Sequence, residues 1–450
     1  MKTIRKITLC EWSEETLNLE LTSVDRVLLQ QFRNGAANGV RIEEMRNGVR
    51  IQTKSSIGVI RLDSIEIRIE PKLAGSDVRV VEMLEYTSGL DLLRKFKQSH
   101  HLIADSENLF ELIVMLLVAE TEHLIRNGLL SSYREEEELL PVVRGRILGD
   151  RQLLLRFGML DKIHCRFDDL SQNIVENQLL AVALTYCEKL IESEELRHRL
   201  RKCVVDLLSC CEPTLLNLEQ AKLQLTYDRL NQHYRSAHEL CWLVLEKIGI
   251  RDFHRAGSTR CFSFLLNMNQ LYEQFVAKLV RQLLRPHRMR VISQHSDPSI
   301  IRNAITNQPY ARVIPDLIVR SPIGKRFCVD AKYKLYDDLK VSNSDIYQLF
   351  LYAYAIGGSP EQRLAALMYP SCEVEGRTHR LKINGSDSRP AFITAIGFHI
   401  PSVLDELRAR AHSPPTGGLL RELTLSILEA GNLPHGLTER YPPITDKFSM

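Results

Sequence analysis

The segment Val313-Ile-Pro-Asp-Leu-Ile-Val-Arg-Ser-Pro-Ile-Gly-Lys-Arg-Phe-Cys-Val-Asp-Ala-Lys-Tyr-Lys334 decides how the C-terminal half of this chain is read. Two strand-like runs, 313–320 and 326–334, flank Pro322 and Gly324, the punctuation of a β-hairpin. A hairpin symmetric about Ile323 sets Asp316 opposite Asp330, on one face and with Cβ atoms roughly 4.5–5.5 Å apart. Lys332 shares that face, while Val329, Ala331 and Tyr333 point into a core. Two carboxylates about 4 Å apart repel by roughly 4 kcal/mol at an effective dielectric of 20, so the pair either shares a proton or holds a cation. A hard divalent cation such as Mg²⁺, which keeps several waters, suits a two-carboxylate site with an open face. Such an ion lowers the pKa of a bound water and stabilises charge on a phosphate; Lys332 beside it can position that water. The chemistry indicated is phosphodiester hydrolysis.

An isolated Asp-x-Lys near a strand is more often a surface ion pair, and two further residues weigh against that here. Glu273 lies on the amphipathic helix expected over Leu265–Leu284, at the edge of a stripe of Tyr272, Phe275, Val276 and Leu279, and is only partly solvated. Gln348 is the strongly polar side chain of an otherwise apolar helix expected over Asp345–Ile356. Burial there obliges its amide to find partners, and Tyr352 stands one turn on along the same face. Further strands are expected at Leu364–Tyr369 and Ala391–His399, with a polar excursion at Glu373–Arg389 between them, an α/β order on a compact sheet.

Outward from this segment the pattern changes. Residues 57–62 and 65–70 alternate apolar and polar positions as half-buried strands do, and Pro71 ends the second run. Helical spacing runs through Leu109–Leu124 to a stop at Gly128. The run Arg134-Glu-Glu-Glu-Glu138 reads as a solvated helix end or loop. From about 150 to 255 the pattern is almost wholly helical, with a helix over Ile174–Leu190 capped by Asn173 or Ser171 and no chemical signature. The stretch 412–418 reads as a linker before a short helix and a Pro-rich tail. The expected organisation is α+β and multidomain: a strand-rich N-terminal region (1–150), a helical middle domain (151–256), an α/β domain (257–412) and a tail (413–450).

Composition narrows the function classes. The chain has 450 residues, 44% hydrophobic and 26% charged, which argues against a disordered or collagenous protein. Its net charge is only +3, so any nucleic-acid contact must come from local patches such as Arg94–Lys97 or Lys278–Arg290. The longest apolar runs, such as Leu112–Ala119, fall well short of the about 20 residues of a membrane span, and the N-terminus lacks a secretory h-region. Ten cysteines without a C-x-x-C fit free thiols in a reducing cytoplasm. No G-x-x-x-x-G-K-[ST] occurs, so the chain has no nucleotide site of its own and any NTP dependence belongs to a partner.

The order Glu273, Pro315-Asp316, Asp330-Ala-Lys332, Gln348-x-x-x-Tyr352 resembles the PD-(D/E)xK nuclease superfamily, in particular its Gln-x-x-x-Tyr branch. The stretches Gly58–Lys72, Leu140-Pro-Val-Val-Arg-Gly-Arg146, Cys165-Arg-Phe-Asp-Asp169 and Glu176-Asn177 resemble McrC-type proteins, so the likeness spans residues 58–370 or so. It implies a PD-(D/E)xK endonuclease domain at 257–412 and the role of nuclease subunit in a modified-cytosine-dependent (McrBC-type) restriction system. By that resemblance Asp316, Asp330 and Glu273 would hold Mg²⁺ (Mn²⁺ as a substitute), Lys332 would serve the attacking water, and Gln348 would support the site. The substrate would be methylated double-stranded DNA. The partner would be a McrB-like AAA+ GTPase ring that binds the GTP, and the non-nuclease half would dock on it and stimulate hydrolysis. Two other readings stay open. A non-cleaving adaptor would activate the partner alone, against which the intact Asp316/Asp330/Lys332 set argues. A stand-alone repair or mobile-element nuclease would need no ring, against which the long non-nuclease half argues.

Overall fold

The computed structural model describes residues 4–34, 39–90, 108–159, 161–212, 217–248, 261–293, 297–337, 340–357, 363–384, 390–410 and 418–433. The chain divides into two units, one made of Met1–Val59, Ser64–His100 and Leu265–Met450, the other of Ile60–Asp63 and His101–Phe264. The basic cluster at 94–97, the expected linker at 412–417 and the Pro-rich tail lie outside the described residues. Among the described residues no helix is long and apolar enough to cross a membrane. All ten cysteines are free thiols.

The N-terminal part runs β1 (Arg5–Cys10), β2 (Glu14–Leu17), α1 (Ser23–Asn34), β3 (Val40–Met45), β4 (Gly48–Thr53), β5 (Ser56–Arg61), β6 (Ile65–Glu70) and α2 (Asp77–Ser88). The strands expected at 57–62 and 65–70 are β5 and β6, though β5 is buried at every position instead of on one face, and β6 buries Glu66 as well. β6 lies parallel to β1 with Ile7 opposite Ile67, and its alternation buries Ile65, Ile67 and Ile69. α2 begins at Ser76, whose hydroxyl accepts the Arg79 N–H, and stops at Gly89 in the left-handed region.

The second unit carries α3 (Leu109–Asn127), β7 (Ser132–Leu140), β8 (Arg146–Ile147), α4 (Gly149–Leu155), β9 (Ile163–Ser171), α5 (Val175–Glu188), α6 (Glu194–Leu208), α7 (Leu218–Gln224) and α8 (Arg235–Lys247). α3 forms where its periodicity places it, capped by Asn108 and ended at Gly128. Residues 134–138, however, are the middle of strand β7. Glu137 stands opposite Arg166 of β9 and accepts from its Nη2 at 2.5 Å, and Arg151 pairs with the same carboxylate. The run is solvated as expected, exposed at every position, and it is a strand because its counter-charge at Arg166, 29 residues later, stands opposite it. β9 likewise corrects the wholly helical middle, since it buries Cys165 and Phe167 at period two. The expected caps of α5 are also otherwise engaged. The helix starts after Ile174 with no side-chain cap, while Asn173 Oδ1 accepts from Gln178 Nε2 (2.6 Å) and the Glu212 N–H (3.0 Å).

Glu176-Asn177 has a structural part in this unit. Asn177 is buried, donates to the carbonyls of Leu130 and Gln172, and accepts from the Tyr234 hydroxyl at 3.0 Å. Buried His238 contacts the Glu176 carbonyl and the Tyr227 hydroxyl, each at 3.0 Å. Burial depresses its pKa to about 4.

The chain continues through β10 (Phe262–Asn267), α9 (Met268–Leu284), β11 (Arg290–Ser293), β12 (Asp297–Arg302), β13 (Pro309–Val313), β14 (Leu317–Arg320), β15 (Arg326–Ala331), α10 (Asn343–Ile356), β16 (Leu364–Pro370), β17 (Arg377–Ile383), β18 (Ala391–Phe398), α11 (Ile400–Arg410) and α12 (Leu419–Ala430). The helix expected from Leu265 begins only at Met268, because Asn267 caps it by accepting the N–H groups of Asn269 and Gln270. Six strands form one mixed sheet in the order β11-β14-β15-β16-β18-β17. Its parallel centre, β15-β16-β18, reads as nearly continuous apolar sequence and packs beneath Leu349, Ala353 and Ile356 of α10. The polar excursion expected at 373–389 contains β17, an edge strand whose Arg377, His379, Arg380 and Lys382 need no buried face. α11 was not foreseen in the pattern.

The N-terminal strands and the six-stranded sheet belong to one unit, tied by a buried polar cluster and by an ion pair nearer the surface. Glu11 is fully buried; its Oε1 accepts the Tyr333 hydroxyl (2.7 Å) and the N–H groups of Lys72 (2.8 Å) and Leu73 (2.9 Å). Arg79 of α2 grips Asp405 of α11 with both Nη atoms, at 2.6 and 3.0 Å, and the Tyr86 ring meets Phe275 edge-on. Glu11→Ala strands three donors, those of Tyr333 and Leu73 buried, and a buried donor left unpaired costs about 1–3 kcal/mol. Its urea unfolding should show a loss of at least about 2 kcal/mol, with Glu11→Gln, which keeps an acceptor, losing much less. Equal midpoints for Glu11→Ala and wild type would contradict this assignment.

Candidate active site

The hairpin β14–β15 is symmetric about Ile323: Leu317 faces Val329, Ile318 faces Cys328, Val319 faces Phe327 and Arg320 faces Arg326. Its turn is closed by Ser321 N–H to the Lys325 carbonyl at 2.9 Å, with Gly324 at φ +81, a conformation that favours glycine. The strand β14 starts after Pro315 and Asp316. Instead of continuing the backbone ladder, the Asp316 side chain takes it over: Oδ2 accepts the Ala331 N–H at 2.8 Å. Asp316 therefore lies beside Asp330, as the register requires.

On its other edge β15 is held by β16, with Asp330 opposite Leu367 and the Lys332 N–H donating to the Met368 carbonyl at 3.0 Å. Asp330 is 1% exposed, and neither carboxylate oxygen has a hydrogen-bond donor. Lys332 Nζ lies 3.1 Å from Oδ2, an ion pair without hydrogen-bond alignment. Burial, then the adjacent Asp316 charge, push the Asp330 carboxyl up to about 7, against the pull of Lys332. Burial works against the Lys332 ammonium as well. The charges of Asp330 and Asp316 outweigh it and hold its pKa above the ordinary lysine value.

The other expected residues gather around this core. Glu273 on α9 is half-buried; burial and the charge of Asp316 raise its carboxyl, and Lys332 offsets part of that rise. Gln348 on α10 donates from Nε2 to the Tyr352 hydroxyl at 2.7 Å, which donates in turn to the Ile314 carbonyl at 3.1 Å. The pair thus fixes the backbone two residues ahead of Asp316. Among the described residues no three His, Cys, Asp or Glu side chains form a ready metal cage. Asp316 and Asp330 nevertheless fit a hard cation: an unsolvated carboxylate with both oxygens undonated, beside a second carboxylate, is the donor set that Mg²⁺ takes when it keeps most of its waters.

Sequence reading missed Asp345. This buried carboxylate accepts from Lys334 Nζ (3.0 and 3.2 Å), the Ser342 hydroxyl (2.5 Å) and the Tyr336 hydroxyl. Burial alone would raise its pKa; the bonds from Ser342, Tyr336 and Lys334 hold it below the ordinary carboxylate range. It ties the segment carrying Lys332 to the start of the helix carrying Gln348. The available signal was the capping pattern Ser342-x-x-Asp345 ahead of an apolar run.

A carboxyl that titrates near 3.9 unfolded and at about 7 folded keeps its proton in the folded chain between those values, so stability falls as pH rises through that window. Without divalent metal, Asp330→Asn should melt several degrees above wild type at pH 8 and show no gain at pH 4. Added Mg²⁺ should raise the melting temperature of wild type and leave the variant where it was. A variant no more stable than wild type at pH 8 would remove the electrostatic account.

A family model described as the McrBC 5-methylcytosine restriction system component matches residues 51–370. The chain is 24% identical over 319 residues to the type IV methyl-directed restriction enzyme EcoKMcrBC of Escherichia coli (strain K12), covering 68% of this chain and 88% of that protein. It is also similar in fold to a chain in the refined half-complex from the tetradecameric assembly of Thermococcus gammatolerans McrB AAA+ hexamers with bound McrC. That match has a TM-score of 0.61 and 18% identity and covers 87% of this chain and 94% of the other. Since the matched segment takes in well over half of its residues, the chain belongs to the McrBC 5-methylcytosine restriction system component family.

Proposed function

We propose that this chain is the nuclease subunit of a modified-cytosine-dependent restriction complex, a PD-(D/E)xK-type endodeoxyribonuclease that works with a McrB-like AAA+ GTPase ring. The observation that carries this reading is the buried Asp330 carboxylate, undonated at both oxygens and set against Asp316 and Lys332. Asp316 and Asp330 would hold Mg²⁺, which when bound would neutralise phosphate charge and make a water more acidic. The chain's own residues supply the rest. Lys332, held by Asp330, directs an ammonium toward the phosphoryl oxygens and the attacking water. Glu273, half-buried and within the fields of Asp316 and Lys332, would serve as an accessory acid near the metal. Gln348 and Tyr352 keep Ile314, and so Asp316, in place. DNA as substrate and methylated cytosine as its mark are supported by family membership and by the methyl-directed relative.

The ring partner is supported from two sides. The solved relative is McrC bound to McrB AAA+ hexamers. In the second unit, the region β7–β9 turns large apolar side chains to solvent, among them Val142, Leu153, Leu154 (83% exposed), Phe157 (81%) and Met159. Exposed apolar surface of that extent marks an interaction site. Arg144 is held there over the Phe167 ring at 4.0 Å and paired with Asp169 at 2.5 Å, a fixed cation beside the apolar patch.

The test is cleavage of methylated and unmethylated plasmid by this chain with its AAA+ partner, GTP and Mg²⁺. Methylated plasmid should be cut. Lys332→Ala should lower the rate by about 10² or more while still stimulating GTP hydrolysis by the partner. Wild-type cutting by Lys332→Ala would sink the site, and cutting without the partner or GTP would favour a stand-alone nuclease.

A further inference from the structure

Among the described residues, strands β12 and β13 pair only with each other, as a two-stranded ribbon separate from the six-stranded sheet. At its base Val313 is buried in the core of that sheet, with Ile300 and Ile301 packed against it. On β13, Pro309, Tyr310 (76% exposed), Ala311 and Arg312 all meet solvent. The tip is nonetheless fixed. Asn303 Oδ1 accepts the N–H groups of Ile305 (2.9 Å) and Thr306 (3.0 Å), and the Asn303 N–H donates to the Gln308 carbonyl at 2.9 Å. Arg302 Nη1 reaches the Asn307 carbonyl at 3.1 Å. This ordered turn holds Ile305 out to water at 94% exposure.

We infer that this ribbon is a duplex-DNA arm: it enters a groove with Arg302 and Arg312 on the phosphate backbone and Ile305 as an apolar wedge, and so sets the phosphodiester over Asp316 and Asp330. Charge complementarity favours DNA as the occupant, since the ribbon and its turn, residues 297–313, carry two arginines against one carboxylate, Asp297, the first residue of β12. Shape agrees, because two-stranded β-ribbons seat in DNA grooves, the minor groove included. So does position: Val313, the last ribbon residue, stands three residues before Asp316. An apolar tip is also the residue type that wedges between base steps. This inference rests on the nuclease reading above and adds the surface that would seat its substrate.

The test uses the full chain with its AAA+ partner and GTP, in a Lys332→Ala background so that no cutting intervenes. Arg302→Ala with Arg312→Ala should weaken binding of a methylated duplex roughly tenfold and flatten the slope of log K against log salt by about two. An unchanged slope overturns the arm. A photo-crosslinking residue, Ile305→p-benzoylphenylalanine, should attach to the DNA strand; attachment to the ring protein instead, or to nothing, also overturns it. GTP hydrolysis by the ring at the wild-type rate shows that the variants are folded and docked. A complex that binds through the ribbon yet never cuts with Lys332 restored sinks the nuclease reading alone. One that cuts normally with an unchanged slope sinks the arm alone.

Discussion

The bond from the Ala331 N–H to Asp316 Oδ2, at 2.8 Å, is the contact on which the site depends. The β14–β15 register ends at Leu317 and Val329, so the Ala331 N–H beyond it meets no β14 carbonyl, and the Asp316 carboxylate accepts it instead. That substitution places one carboxylate at the mouth of the hairpin while β15 carries a second into the sheet. Asp330 then has neighbours on both strand edges and nearly no solvent, and its charge finds only Lys332. A buried carboxylate without donors costs folding free energy and is retained where a cation or a reaction gives it a use.

The surrounding structure holds this costly arrangement still. Gln348 and Tyr352 fix the backbone ahead of Asp316, and Asp345 clamps the segment after β15 to the cap of α10. Both sets of bonds originate on one helix, so Asp316 and Lys332 are positioned from the same element. From below, Tyr333 is tied to Glu11, which brings the N-terminal strands into the same unit as the sheet. Lys332 thus lies between Asp330, on the site face, and a neighbour anchored in the interior.

Much of this was legible along the chain. The hairpin centre at Ile323, the pairing of Asp316 with Asp330, the shared face of Lys332 and the contact of Gln348 with Tyr352 all follow from short-range periodicity and turn chemistry. The failures have a common cause. Arg134–Glu138 is a strand because of Arg166 and Arg151, Asn173 does not cap α5 because Gln178 and Glu212 claim it, and β17 is a strand because β18 offers an edge. Each was decided by a partner outside the window in which periodicity is visible.

The sequence by itself determined the local grammar: which residues form the hairpin, which face they share, and that two carboxylates and a lysine meet at its open end. These depend on separations of a few residues, where backbone geometry alone dictates the neighbours. Only the tertiary structure decided that the first strands share a unit with the last sheet, that Asp330 is buried without a donor, and that β12 and β13 pair as a ribbon leading into the hairpin. Those facts hang on contacts such as Glu11 to Tyr333, 322 residues apart. No local propensity encodes a contact at that distance; it exists because burying these strands together leaves the Tyr333 hydroxyl to donate to the same Glu11 oxygen that accepts the Lys72 and Leu73 N–H groups.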